Sequence, residues 1–281
     1  MTGTLFVVAT PIGNLEDLSP RARQTLEAVD LIAAEDTRHT GRLLSHFGVK
    51  TPLFALHDHN EDKVVKTLMA ELVNGKSIAL VSDAGTPLIS DPGFRLVGSA
   101  HANGVRVVPI AGPSAATAAL SAAGLPTDRY CFEGFLPAKQ KSRRTRLAEL
   151  ATEPRSVVIY ESVHRIRDCL ADLVAEFGAQ RVAFIGRELT KLHEQCVQAP
   201  LAELLRQVDV GDIACKGEFV VVISGCSDAV ASPIAVDPLL AELAVHLPTR
   251  EAARIAAKVT GGRPNDLYAR LLELSKASKG L

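Results

Sequence analysis

Three short loops in this sequence combine small, polar and proline residues, and each follows an apolar segment. They cover residues 10–14 (TPIGN), 82–93 (SDAGTPLISDPG) and 110–116 (IAGPSAA). Small residues let a backbone approach a ligand closely, and prolines fix the shape of a loop. Ligands of open α/β sheets bind outside the carboxyl ends of the strands. One such loop would be compatible with a plain turn, but three at one sheet edge predict a ligand-binding site.

The loop at 82–93 carries the most specific signal of the three. Two acids, two glycines and two prolines fall within its twelve residues. It has neither a GxGxxG pattern nor a GK[ST] ending, which argues against a dinucleotide fingerprint and a phosphate-cradling loop. Asp91 precedes Pro92 and is predicted to cap a helix that begins there, whereas Asp83 has no comparable structural role. The sequence therefore predicts ligand binding by residues 83–89.

A second polar cluster, LHDHNE at 56–61, holds His57 and His59. Two imidazoles in HxH spacing are typical of a metal site only when a third ligand is placed with them, and no spacing here supplies one. No metal is therefore predicted. A neutral imidazole accepts a proton near neutral pH. The cluster predicts either a proton acceptor or a polar contact to a substrate, and the sequence leaves both open.

Basic residues are concentrated in one segment of a chain whose net charge is only −1. Closely spaced cations bind nucleic-acid phosphates, although a solvated helix face has the same composition. We predict a phosphate-binding surface over this segment. Its cations are Lys139, Lys141, Arg143, Arg144 and Arg146.

The elements that must position these residues alternate between strands and helices. Apolar, strand-like segments lie at 4–9, 29–34, 52–56, 77–82 and 105–110, with helical segments between them. Because these strands are apolar throughout, the pattern predicts a parallel sheet covered on both faces.

The domain boundaries are predicted from breaks in this alternation. Residues 1–123 form the predicted N-terminal α/β domain, which ends at the turn-like GLPTD sequence. Residues 124–226 are predicted to form a second α/β domain with a mixed sheet. A linker then leads to a small helical C-terminal domain at 237–281. The fold class predicted for the chain is α/β.

The cysteine pattern and the hydropathy indicate the cellular compartment in which the protein is expected to lie. The cysteines are dispersed and form no CxxC pair, which is typical of free thiols in a reducing compartment. No apolar run reaches membrane-spanning length, and the N-terminus shows neither the basic flank nor the cleavage site of a signal peptide. We therefore expect a cytoplasmic protein that does not span a membrane. The five cysteines are Cys131, Cys169, Cys196, Cys215 and Cys226.

Taken together, eight segments of the chain resemble one enzyme family. They are TPIGNLEDLS, AEDTRHTGRLL, SDAGTPLISDPG, IAGPSAA, GFLPAKQKSRR, YESVHR, RELTKLHE and KGEF, in that order. The family is the bacterial small-subunit ribosomal RNA cytidine 2′-O-methyltransferases, a branch of the tetrapyrrole (corrin/porphyrin) methylase superfamily. The resemblance runs from Phe6 to about Ile223, and the tail is similar to the small C-terminal helical domain of that family.

The resemblance implies a tetrapyrrole-methylase-like fold with S-adenosylmethionine bound in the cleft between two α/β domains. It also implies a homodimer that methylates the ribose of a cytidine in 16S ribosomal RNA, with the naked RNA and the small ribosomal subunit both open as the substrate. Porphyrin-methylating relatives carry GGDP where this chain has Ala84-Gly85-Thr86-Pro87, so Thr86 replaces an acid for which Asp83 is a possible substitute. The implied cofactor-binding residues are Pro11, Asp83, Ala84, Gly85, Thr86, Ile89, Ser114, Ala115, Tyr160 and Leu189.

With that activity, the basic segment is expected to bind RNA through Lys139, Lys141, Arg143 and Arg144. Removal of the hydroxyl proton helps a ribose to act as a nucleophile, and the candidate bases are His57, His59, Glu161 and His164. We favour His57 and Glu161, while water as the acceptor stays open. Two other functions also stay open. One is a small-molecule tetrapyrrole methylase, and the other is a non-enzymatic RNA-binding protein of the same fold, which the intact cofactor loops disfavour.

Overall fold

The computed structural model describes residues 2–57, 60–226, 236–260 and 262–277. The chain forms two compact units, Met1–Gly225 and Cys226–Leu281. Within the described residues, no helix is both long enough and apolar enough to cross a bilayer.

The first half of the larger unit is a five-stranded sheet with the strand order β3-β2-β4-β1-β5. Every neighbouring pair in it is parallel, which confirms the predicted parallel sheet. The most central strand, IALV, is buried at all four positions, as expected of a strand covered on both faces. The elements are β1 (Thr4–Val8), α1 (Pro20–Ala28), β2 (Leu31–Ala34), α2 (Thr37–Phe47), β3 (Leu53–Ala55), α3 (Glu61–Val73), β4 (Ile78–Val81), α4 (Phe94–Ala102), β5 (Arg106–Ile110) and α5 (Ala115–Ala122).

Helix α4 begins later than the sequence predicts. Its first residue is Phe94, and its N-cap is Gly93, which has a φ of 120° and provides no side-chain cap. The prediction that Asp91 caps a helix starting at Pro92 is therefore wrong. Gly93 and the left-handed Ser90, with a φ of 70°, keep the intervening backbone out of the helix. Asp91 is instead a residue of the loop after β4.

The second half of the larger unit contains a five-stranded mixed sheet with the order β6-β7-β10-β8-β9. Strands β6 and β7 are parallel and the other neighbours are antiparallel, which confirms the predicted mixed sheet. The sequence did not predict β9, a partly polar edge strand. The elements are β6 (Tyr130–Phe135), α6 (Gln140–Leu150), β7 (Ser156–Ser162), α7 (Ile166–Phe177), β8 (Val182–Arg187), β9 (Gln195–Pro200), α8 (Leu201–Val210) and β10 (Glu218–Ile223).

Helix α5 joins the two halves through one shared apolar cluster. Ala116 and Ala119 of α5 pack in the same buried group as Phe184 and Val220 of the second sheet, and Ile12 from the loop after β1 belongs to it as well. Small residues on α5 let the helix lie close to that sheet. The burial of these side chains therefore fixes the first sheet's carboxyl edge against the second sheet.

The smaller unit is a bundle of three helices, α9 (Val236–His246), α10 (Thr249–Thr260) and α11 (Pro264–Ala277). The predicted helical tail is confirmed. Alanines of α10 and leucines of the other two helices form its own buried cluster. The guanidinium of Arg270 donates hydrogen bonds to both oxygens of Asp237, which ties α11 to the start of α9.

One cation of the basic segment serves the interior of the protein. Arg143 is only 3% exposed, and its Nε donates to Asp172 Oδ2 at 2.8 Å. Gln140 donates to the other Asp172 oxygen at 3.1 Å, so this carboxylate connects two positions of α6 to α7. The expectation that Arg143 contacts RNA therefore needs correction. Charge density in a sequence does not reveal that one of several adjacent arginines faces a buried acid.

This arrangement predicts different stabilities for two adjacent arginine variants. Arg143→Ala leaves the Asp172 charge buried without its cation, which should lower the free energy of unfolding by about 3–5 kcal/mol. Arg144→Ala removes an exposed pair with Glu176 and should cost about 0–1 kcal/mol. Urea unfolding followed by circular dichroism measures both changes. Equal losses in the two variants would contradict the structural role of Arg143.

Candidate active site

A cavity of about 470 Å³ lies between the carboxyl edge of the first sheet and one face of the second. This volume is within the range of about 300–1,000 Å³ that is usual for small-molecule sites. The first sheet contributes Ile12, Glu35, Asp83, Ala84, Gly85, Thr86, Ile89, Ser90, Asp91, Ser114 and Ala115. The second contributes Phe135, Tyr160, Glu161, Ser162, Val163, Gly186, Leu189, Lys191, Gly217, Glu218, Phe219 and Val220.

The three loops predicted from the sequence are joined to one another at the cavity. Thr10 N donates to Gly85 O at 2.8 Å and Gly85 N donates to Thr10 O at 3.1 Å, which forms an antiparallel bridge. The Thr86 hydroxyl donates to the carbonyl of Pro113 at 2.9 Å, which attaches the third loop. Thr86 therefore connects the loops after β4 and β5.

Backbone strain is concentrated in the loops beside the cavity. Among the described residues, the non-glycine positions with positive φ are Leu88, Ser90, Glu188 and Thr190, with values from 50° to 73°. The first two lie in the loop after β4 and the others in the loop after β8. Such conformations cost on the order of 1–3 kcal/mol each and cluster at functional sites. Their location supports a binding role for this cavity over a purely structural one.

Two carboxylates beside the cavity connect the loops after β2 and β4. Asp83 Oδ1 accepts a hydrogen bond from the Asp36 amide at 3.0 Å. In return, Glu35 Oε2 accepts one from the Asp83 amide at 3.4 Å. Glu35 was not among the predicted site residues, because its segment resembles the start of a capped helix. Asp83 thus has a structural partner in addition to its position on the cavity wall.

Tyr160 links the second sheet to the start of α5. Its hydroxyl accepts a hydrogen bond from the Ala116 amide at 3.2 Å. Burial raises the pKa of this phenol above its usual value, while the hydrogen bond from Ala116 opposes that shift. The tyrosine therefore stays neutral at physiological pH and occupies one of the free amides of a helix N-terminus.

Lys191 is the cation on the cavity wall that sequence reasoning missed, although it lies inside the RELTKLHE segment. Its Nζ donates to Glu188 Oε1 and to Glu218 Oε2, each at 2.8 Å. Partial burial works against its charge, but the two carboxylates raise the pKa of Lys191 overall. Any side chain at Gly13 would overlap Lys191. Lys191 therefore joins the loop after β8 to the start of β10 and packs against Gly13 of the loop after β1.

Most of the predicted cofactor-binding residues meet at this cavity. Pro11 does not line it; it is buried, and its neighbour Ile12 forms the wall instead. The predicted residues found on the wall are Asp83, Ala84, Gly85, Thr86, Ile89, Ser114, Ala115, Tyr160 and Leu189.

The candidate bases are placed less favourably. His57 follows β3, the edge strand of the first sheet, and neither His57 nor the exposed His164 is among the described residues of the wall. His59 lies outside the described residues. Glu161 does line the cavity, but its fully buried carboxylate accepts hydrogen bonds from Ser162 N at 2.8 Å and from Arg165 at 3.1 Å. Within the part of the chain that the structure describes, no three acidic, histidine or cysteine side chains are grouped as metal ligands.

Two family models match this chain. The model of the tetrapyrrole (corrin/porphyrin) methylases matches residues 4–205, and that of the RsmI C-terminal HTH domain matches residues 230–275. Similar curated proteins include the "Ribosomal RNA small subunit methyltransferase I" of Xylella fastidiosa, which is 54% identical over 95% of this chain and 98% of its own length. The proteins of the same name from Escherichia coli O157:H7 and Pseudomonas aeruginosa are 53% and 51% identical, over 96% of this chain and 95% and 97% of their own lengths.

Similar solved structures show the same fold at low sequence identity. The uroporphyrin-III C-methyltransferase of Thermus thermophilus, complexed with S-adenosyl homocysteine, has a TM-score of 0.55 and 16% identity, covering 79% of this chain and 97% of its own. The methyltransferase CobJ has a TM-score of 0.59 and 18% identity, covering 80% and 95%.

The bridge at Gly85 predicts opposite effects for two glycine-to-alanine changes. Gly85 has a φ of 82°, and an added Cβ would lie 3.3 Å from Ile12 Cγ2, so Gly85→Ala should destabilise the fold by about 1–2 kcal/mol. Gly98 lies in α4 with open space around it, so Gly98→Ala should stabilise by about 1 kcal/mol. Thermal unfolding of both variants measures the difference. A stabilising Gly85→Ala would show that the strained bridge is described incorrectly.

Proposed function

Because this chain belongs to the tetrapyrrole (corrin/porphyrin) methylase family, and within it to the ribosomal RNA small subunit methyltransferase I proteins, we propose that it methylates small-subunit ribosomal RNA. The observation that carries this proposal is identity above 50% over nearly the whole of both chains. We propose S-adenosylmethionine as the methyl donor and the ribose 2′-hydroxyl of a cytidine in 16S ribosomal RNA as the acceptor.

The cavity fits a donor of this kind. Ile12, Leu189 and Val220 offer an apolar wall suited to a purine ring, and Gly85, which has no side chain, lies on the same wall. Ser114, the N-cap of α5, also lies on the wall, where its side chain hydrogen-bonds with the Tyr160 phenol.

S-adenosylmethionine carries a methyl group that is already activated as a sulfonium, so the protein has to align donor and acceptor and exclude water. The loops joined through Thr10, Gly85 and Thr86 provide rigid alignment. Tyr160 attaches the second sheet to the start of α5, and Lys191 packs against Gly13 of the loop after β1. In this proposal, alignment provides most of the rate enhancement.

The proton of the hydroxyl needs an acceptor, and the structure favours water over the two residues predicted. Glu161 has both oxygens engaged, and His57 follows an edge strand. We keep His57 and Glu161 as candidates and propose solvent as the acceptor. A single-turnover pH profile separates these options. If His57 is the base, the acid limb of the profile should disappear in His57→Ala.

The RNA surface is proposed to lie over the exposed part of the basic segment. Lys139 and Lys141 are exposed, and Arg144 is half-exposed beside Glu176. A small-molecule tetrapyrrole substrate is disfavoured, since the uroporphyrin-III C-methyltransferase structures share the fold at 15–17% identity only.

We also propose that the chain works as a homodimer in the cytoplasm. The family resemblance supports the dimer, and the five cysteines are all free, which fits a reducing compartment. Sedimentation equilibrium tests the proposed homodimer, because it measures the molar mass of the protein in solution.

A side-by-side transfer assay tests the proposed activity. With a tritium-labelled methyl donor, the protein should label small-subunit ribosomal RNA, and nuclease digestion should yield 2′-O-methylcytidine. A uroporphyrinogen acceptor should stay unlabelled. Labelling of the tetrapyrrole alone, or of an RNA base instead of a ribose, would refute the proposal.

Replacement of the three exposed cations tests the RNA surface. Lys139→Ala, Lys141→Ala and Arg144→Ala combined should weaken RNA binding and reduce the slope of log K against log salt by about 2–3, because each lost phosphate contact releases about 0.7–0.9 fewer counterions. A matched triple, Lys50→Ala, Lys76→Ala and Arg106→Ala, removes equal charge near the amino ends of the first sheet's strands. Equal slopes for the two triples would assign the effect to net charge alone.

A further inference from the structure

An aromatic side chain stands exposed at the rim of the cavity. Phe135 is 57% exposed although it lines the cavity, and its ring meets that of Tyr160 edge-on, with 5.7 Å between the centroids. Exposure of a large apolar ring to water is unfavourable. An aromatic ring held at the entrance of a binding cavity is suited to cover a flat apolar surface of a ligand.

A bulge in β6 places this ring at the cavity. The register between β6 and β7 shifts between Phe132 and Gly134, so one extra residue is present in β6. In a regular strand, residues three apart point to opposite faces. The extra residue puts Phe132 and Phe135 on the same side, and both rings pack edge-on against Tyr160, at 4.9 and 5.7 Å. Bulges next to active sites commonly redirect a side chain in this way.

The end of β6, where Phe135 lies, is held from both sides. Gly134 has a φ of 60°, and a Cβ there would lie 2.8 Å from Ser90 Oγ, so this backbone packs directly against the strained loop after β4. On the other side, Arg165 Nη2 donates to the carbonyl of Leu136 at 2.7 Å and to Glu161 at 3.1 Å. The buried Glu161 carboxylate thus orients Arg165, and Arg165 fixes the residue that follows Phe135.

We propose that the base of the acceptor nucleotide stacks on Phe135 and that the Glu161–Arg165 pair is the positioning device for this ring. The inference rests on the proposed function. Nucleotides of single-stranded RNA that enter a protein site are splayed out of the base stack, which costs the base its neighbours. An aromatic face restores stacking for any base. Lys139 and Lys141 follow Phe135 within six residues, and an aromatic platform beside cations is the usual combination for single-stranded nucleic acid.

Four variants test the stacking role, with the donor saturating and the RNA concentration varied. Phe135→Ala should lower kcat/KM for RNA by about 5- to 150-fold, the range expected for loss of one base–aromatic stack. Phe135→Leu, which stays apolar but has no ring, should lose a similar factor, and Phe135→Tyr should retain activity. Phe94→Ala is the matched control, since Phe94 is 64% exposed and does not line the cavity. It should behave as the wild type.

The positioning role has its own readout. Arg165→Ala should lower kcat/KM for RNA in the wild-type background and have little further effect in the Phe135→Ala background. Both changes act on the same contact, the stacking of the acceptor base on Phe135. Calorimetric titration with S-adenosylmethionine should show a smaller loss of donor affinity in Phe135→Ala than the loss of kcat/KM for RNA.

Three outcomes would overturn the inference. They are wild-type activity in Phe135→Leu, a loss confined to donor affinity, and additive effects of Arg165→Ala and Phe135→Ala. If the wild-type protein does not methylate RNA, the proposed function fails first. If the wild type is active and every Phe135 variant matches it, the inference alone fails.

Discussion

The pair of backbone hydrogen bonds between Thr10 and Gly85 is the contact on which the cavity depends. It joins the loops after β1 and β4, whose strands are neighbours in the first sheet, and fixes the distance between them. Gly85 adopts a left-handed conformation to make this bridge. The Thr86 hydroxyl then attaches the loop after β5, so all three loops are joined by hydrogen bonds. The cavity wall is therefore built on neighbouring strands of the parallel sheet.

The second sheet completes the cavity through a small number of polar contacts and one apolar cluster. The cluster around α5 brings the halves together, while Tyr160 and Lys191 set the positions of individual loops. Strained residues on both sides, such as Ser90 and Glu188, persist because these surroundings hold them. Packing energy gained in the shared core thus offsets backbone strain beside the proposed donor site.

The sequence was sufficient for the strand pattern and for the loops after β1, β4 and β5, because apolar runs and proline- and glycine-rich loops are local signals. It was insufficient where contacts between residues distant in the sequence determine the burial or the position of a side chain. The burial of Arg143 depends on Asp172, which is 29 residues away in the sequence. The exposure of Phe135 depends on a bulge that no local pattern marks. The late start of α4 follows from Gly93, which the prediction of a helix capped by Asp91 and starting at Pro92 did not take into account.

The most direct test of this account is calorimetric titration of the purified protein with S-adenosylmethionine, for the wild type and for Gly85→Leu. Gly85→Leu would place a bulky side chain in the bridged loop, where we propose that S-adenosylmethionine lies close to the protein backbone. The account predicts saturable binding to the wild type and no measurable binding to a variant whose circular dichroism spectrum is native. Equal affinity for S-adenosylmethionine in a folded Gly85→Leu protein would contradict it.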